Sequence, residues 1–216
     1  MEVLTAELES RTDFFKKIGP DIARQMSEAL QKLTAEEIKV EFSSIETLDQ
    51  NAIFIETNEK CFGSYVTFKS PKVVPAWGQG NFEGVVVAIF PLASTKALTA
   101  MLSKRFLKTA NKENIDNKLK LSAFKEAANI LVLAHINGMA NALKVKIEMG
   151  MPKFACFRNV EHSKPALLTD GLSQDSLVSV GQFNISAVFA KSYGGAAGRQ
   201  GESSSSFIKG RFIVVY

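Results

Sequence analysis

Two long stretches of helical periodicity, one opening the chain and one just past its middle, each lead into short segments of strand-like alternation. That doubled order limits the possible folds more than any other feature. In the first stretch Leu4, Leu8, Phe14, Phe15 and Ile18 recur at spacings of three and four as far as Gly19-Pro20, and Ile22, Met26, Ala29, Leu30 and Leu33 then resume them. Pro20 reads as the first residue of a new helical segment, a position where the missing amide costs nothing. The second stretch runs from Leu121 to about Lys146. Alternation marks strands at 37–45, 51–57 and 64–69 in the first half, and at 153–160, 175–190 and 207–216 in the second. Between them, the apolar, β-branched run of FEGVVVAIF (82–90) predicts a buried strand, followed by a helix from about Ser94 to Phe106 and a polar connector, TANKENIDNK, at 109–118.

Laying the first helix on the second at an offset of 109 residues brings Phe15 onto Phe124, Ile22 onto Leu131, Met26 onto His135, Ala29 onto Gly138 and Leu30 onto Met139. Apolar stripe falls on apolar stripe and small residue on small, which predicts an internal duplication: one domain made of two repeats, 1–110 and 118–216. The 216 residues, 46% of them apolar, suffice for one large core or two small fused ones. A net charge of only +4, with the lysines scattered, excludes a nucleic-acid footprint. Cys61 and Cys156 have no CxxC spacing, so neither a zinc knuckle nor a redox pair is indicated, and free thiols in a reducing cytoplasm are expected. The acidic N-terminus and the lack of any run of about 18 apolar residues predict a cytoplasmic protein with no membrane insertion.

Chemistry is concentrated in SAFKEAANILVLAHINGMANAL. Its first turns are small or apolar apart from Lys125, Glu126 and Asn129, and a helix sets Glu126 and Asn129 side by side on one face. Burying that amide unpaired would cost about 1 to 3 kcal/mol, and the carboxylate more. Either the pair has partners inside the fold or it points outward at something. No set of histidines, cysteines or spaced carboxylates suggests a metal site, and no nucleophile has a nearby base, so an independent hydrolase is not expected.

Ser122, Glu126, Asn129 and Pro152 stand at gaps of three, two and twenty-two residues. This pattern resembles the signature of the CheC/CheX/FliY family of chemotaxis proteins, which has Asp or Ser, then Glu, Asn and Pro at those gaps, and the likeness covers nearly the whole chain. The resemblance implies an α+β fold with an internal duplication, an antiparallel sheet flanked by two long helices related by a pseudo-two-fold. It also implies a phosphatase that hydrolyses the aspartyl phosphate of a CheY-type response regulator. Asn129 would orient the attacking water and Glu126 would pair with the receiver's lysine, while Ser122 supports the helix or the rim of contact and Pro152 starts the strand behind it. No cofactor is expected on this chain, since Mg2+ belongs to the receiver. In the first half Asp13, Lys17, Pro20 and Ser43 occupy the four positions. Neither lysine for carboxylate nor proline for amide preserves the chemistry, so a single site is expected.

The alternative is a non-catalytic module like the FliM middle domain, serving a flagellar switch or regulated through a CheD-like deamidase partner. His135 shares the stripe of Phe124, Leu131 and Met139 and reads as a core histidine, and His162 as a surface residue. The stretch YGGAAGRQGESSSS (193–206) imitates a phosphate loop, but a strand follows it instead of a helix, so a hairpin connection is expected. The lysines of 103–120 are interspersed with Glu113 and Asp116 and read as a solvated linker.

Overall fold

The computed structural model describes residues 2–49, 60–71, 82–107, 117–157, 177–188 and 208–215. Its first helix, α1 (Glu2–Thr34), runs straight through Pro20, against the expected break. Pro20 lies on the exposed side, while Phe15, Ile18, Ile22, Met26 and Leu30 form one continuous buried stripe beneath it. An internal proline costs a helix about 3 kcal/mol, whereas burying a single large apolar side chain returns about 1.5 to 3 kcal/mol. The stripe therefore outweighs the proline.

The remaining elements are β1 (Glu37–Asp49), β2 (Cys61–Lys69), β3 (Glu83–Pro91), α2 (Leu92–Leu107), α3 (Asn117–Leu143), β4 (Glu148–Met149), β5 (Lys153–Phe157), β6 (Leu177–Val188) and β7 (Ile208–Val215). Helix α3 stops short of the expected Lys146 because Lys144 takes a left-handed φ of 54°. Strand β5 opens directly after Pro152, as expected of a residue that forces its predecessor toward extended geometry. The two-residue β4 was not legible in the alternation. The strand expected at 51–57, most of the connector at 109–118, His162 and the stretch 193–206 lie outside the described residues.

Among the described residues one seven-stranded antiparallel sheet runs in the order β1-β6-β7-β3-β2, with β4 and β5 both pairing on the far side of β2. Exchanging β1 with β5, β2 with β6 and β3 with β7 makes this order read the same backwards, so the α+β class and its internal duplication are built into the topology. The register obeys the exchange: Ile45 faces Gly181 as Phe154 faces Ser64, and Thr47 faces Ser179 as Cys156 faces Phe62. A constant separation of 124 residues carries β3 onto β7, and it maps Ala88 onto its own ladder partner Phe212. The pseudo-two-fold axis therefore passes through that pair.

The helices obey the same symmetry. Phe15 and Phe124, Ile22 and Leu131, Met26 and His135, Leu30 and Met139 are all buried, as the offset requires. Both long helices end 109 residues apart, at Thr34 and Leu143, and each is followed by a left-handed residue, Ala35 (φ 57°) and Lys144 (φ 54°). Where α1 crosses α3, a Cβ on Gly138 would stand 2.9 Å from the Ile22 Cα, so only glycine permits this approach. The helices cover one face of the sheet, where Val66, Phe68, Val86, Phe90, Phe183, Phe212 and Val214 meet them. The opposite face carries a second apolar cluster centred on Val85, Val87, Ile89 and Ile213.

His135 lies in the main core as its stripe predicts. It is 2% exposed, its ring centroid is 4.6 Å from that of Phe212, and neither ring nitrogen has a hydrogen-bond partner. Burial pushes its pKa down from 6.5 to about 3, so the ring is neutral at physiological pH.

Candidate functional site

Alanine and leucine dominate α3, which favours helix, and a helix packed against α1, α2 and the sheet has little perimeter left for solvent. The uncovered stripe is narrow. Ser122, Glu126 and Asn137 are exposed along it, with Asn129 and Leu133 half-buried between them. Three of the four signature positions therefore share one edge of one helix, and Pro152 stands half-buried at the start of β5, the strand beside it.

The pair expected to face outward together does so only in part. Glu126 is exposed, and no ion pair holds it among the described residues. Asn129 instead turns its carbonyl toward the sheet, where Oδ1 accepts a hydrogen bond from the Ser64 hydroxyl at 2.5 Å. Ser64 is fully buried on β2, and its Oγ also lies 3.1 Å from the Lys153 carbonyl oxygen on β5. With the hydroxyl proton directed at Oδ1, the amide stands with its oxygen inward and its nitrogen outward. One acceptor lone pair of Oδ1 and both Nδ2 protons remain for an external group.

Small residues make this contact possible. Ala127 and Ala128 are fully buried and let the helix axis sit close over β2. Beside them Phe62, Phe124 and Phe154 pack ring against ring, with centroids 5.9 to 6.3 Å apart. Lys125 lays its ammonium 5.0 Å from the Phe154 ring centroid, which puts a cation next to Glu126 on the rim. Ser64, Phe62 and Phe154 are not visible in the spacing of the motif because they belong to strands distant in sequence. The one hint was a lone hydroxyl in the helix-facing alternation Phe62, Ser64, Val66, Phe68.

The equivalent place in the first half has none of this. Asp13, Lys17, Pro20 and Ser43 are all exposed, and Asp13 is engaged with Lys16 at 3.7 Å. The symmetry mate of Ser64 is Gly181, where a Cβ would meet the Phe42 ring at 2.9 Å. A cleft of about 840 Å3 opens there between α1 and β1, with Lys16, Pro20, Arg24, Phe42 and Ile45 on its walls. Charged side chains such as Glu28, Lys39 and Glu41 also line it, but the glutamate and asparagine of the signature are absent there, whereas the stripe on α3 has that pair on an open surface.

Among the described residues no group of three or more histidines, cysteines or carboxylates could hold a metal ion, and no helix is long and apolar enough to cross a membrane. Neither cysteine forms a disulfide among the described residues, and Cys61 is buried and Cys156 exposed. No protein-family model matches the chain, and no curated protein matches it in sequence. Solved structures do match. FliY from Thermotoga maritima superposes with a TM-score of 0.64 at 14% identity, over 94% of this chain and 88% of that one. The FliM middle domain from H. pylori superposes with a TM-score of 0.51 at 10% identity, over 98% of this chain and 91% of that one. A FliG-FliM complex from H. pylori gives 0.51 at 9% identity, over 93% and 90%. The chain accordingly has the fold of FliY and of the FliM middle domain, the fold that its resemblance to the CheC/CheX/FliY family implies.

Proposed function

We propose that this protein is a phosphatase for the aspartyl phosphate of a CheY-type response regulator, acting through Glu126 and Asn129. The observation that carries the reading is the uncovered edge of α3, which offers a carboxylate and an anchored carboxamide one turn apart. Phosphoryl transfer needs charge neutralisation and an aligned nucleophile. The receiver's own Mg2+ and lysine supply the first, so this chain has only to add an oriented water.

Asn129 is suited to that task. Nδ2 donates to a phosphoryl oxygen, while the free lone pair of Oδ1 accepts from the water and holds it in line with the phosphorus. Glu126 pairs with the receiver's lysine and so sets the register of docking. Ser122, exposed one turn earlier, belongs to the rim of contact. The first half is expected to contribute no second site.

The test follows the loss of label from a phosphorylated receiver in excess Mg2+, with and without the protein. Asn129→Ala should slow the catalysed reaction by about 10² to 10³. Glu126→Ala should in addition weaken association. The second reading, a non-catalytic module, draws on the engagement of Asn129 with Ser64 and on the likeness to FliM middle domains. A receiver that binds with unchanged label loss decides for it. A CheD-like deamidase as regulatory partner belongs to this second reading.

A further inference from the structure

We propose that Ser64 is a positioning residue, whose buried hydroxyl fixes the Asn129 carboxamide in the orientation that the reaction requires; the inference rests on the phosphatase reading of the site. Ser64 has no exposed surface, and its neighbours on the helix-facing side of β2 are Phe62, Val66 and Phe68. A hydroxyl placed there is unfavourable unless it is hydrogen-bonded. Its single proton is directed at Asn129 Oδ1, the nearer acceptor at 2.5 Å, with the Lys153 carbonyl oxygen at 3.1 Å as the competing one. A serine serving packing alone could give that proton to the Lys153 carbonyl oxygen.

The molecule contains its own comparison. At the symmetry-related place the mate of Asn129 is Pro20 and the mate of Ser64 is Gly181. Amide and hydroxyl are absent together, and the Phe42 ring stands where a serine side chain would begin. The half without the amide has no use for the hydroxyl. In the half that has both, the bond removes the rotation about the last torsion of Asn129, which would otherwise exchange its donor and acceptor at the phosphoryl group.

The experiment uses the full chain. Ser64→Ala should lower kcat on the phosphorylated receiver by about ten-fold, the worth of one neutral hydrogen bond, and leave KM unchanged. Ser64→Thr, which keeps the hydroxyl, should restore turnover. Side-chain 15N relaxation of Asn129 should show a rigid amide in the wild type and a mobile one in Ser64→Ala, with thermal melts establishing that each variant is folded. An unchanged kcat, or a reduced kcat with the amide still rigid, overturns the proposal. If the wild type does not accelerate label loss at all, the phosphatase reading has failed. The relaxation measurement then decides alone: a mobile amide in Ser64→Ala supports the anchoring, and a rigid one overturns it.

Discussion

Replacing His135 with methionine, the residue that its repeat mate Met26 provides, should remove an acid-labile point from the core. The small cavity beside the ring is lined by Phe15 and Ile22 from α1, Phe42 and Ile45 from β1, Ser179 and Gly181 from β6, and Phe212 and Val214 from β7. None of these titrates in the range concerned, so none of them offsets the cost of a charge there. The imidazole binds a proton at about pH 6.5 in the unfolded chain but only at about 3 in the fold. Between those values the unfolded state holds a proton that the native state refuses, and stability therefore falls as the pH falls. Above about pH 6.5 the group has no effect. Below it the loss approaches about 1.4 kcal/mol per pH unit, amounting to about 2 to 3 kcal/mol between pH 6 and pH 4. At neutral pH the two unpartnered ring nitrogens already cost the fold about 1 to 3 kcal/mol, so His135→Met should be the more stable protein there as well. Urea unfolding of both proteins from pH 7 to pH 4 measures this, because carboxylates common to both cancel in the difference. Stability curves that stay parallel over that range would show that the ring is not desolvated as described.

Two further substitutions test the packing and the asymmetry of the halves. Gly138→Ala places a methyl group 2.9 Å from the Ile22 backbone, which cannot yield as a side-chain tip would, so α1 and α3 must part. Chemical denaturation should find it destabilised by about 1 to 3 kcal/mol. Combining Lys17→Glu with Pro20→Asn restores both signature residues to the first half but should leave turnover at the wild-type rate, because Gly181 supplies no hydroxyl beneath the new amide. A doubling of the rate in the label-loss assay would contradict the coupling of amide and serine.

Much of this architecture was legible because the repeat acts on burial, and burial is what hydrophobic periodicity records. The offset of 109 residues found from Phe15, Ile22, Met26 and Leu30 extends to the two helix ends and to the left-handed residues Ala35 and Lys144. His135 was readable as a core residue from the same stripe. Pro20 misled because its missing N–H removes a helix hydrogen bond there, while the tertiary packing that overrides it is invisible in a window of a few residues. At the site, Glu126, Asn129 and Pro152 were visible as spacing, but the inward turn of the Asn129 carbonyl was not. It depends on Ser64, sixty-five positions away in sequence and placed beneath the helix only by the pairing of β2 with β5.

That pairing also explains why a half without functional groups is indispensable. The outer strand of each repeat finds its ladder in the other repeat: β1 on β6, and β5 on β2. Among the described strands neither half closes its own sheet, since a separated first half would leave β1 without a described neighbour and expose the long edge of β2 to pairing with other chains. The Ser64 that anchors Asn129 belongs to the first half, and the Asn129 it anchors belongs to the second. Loss of Glu and Asn character at Lys17 and Pro20 therefore removes one surface without loosening the other. The first half holds the floor beneath Asn129 in place.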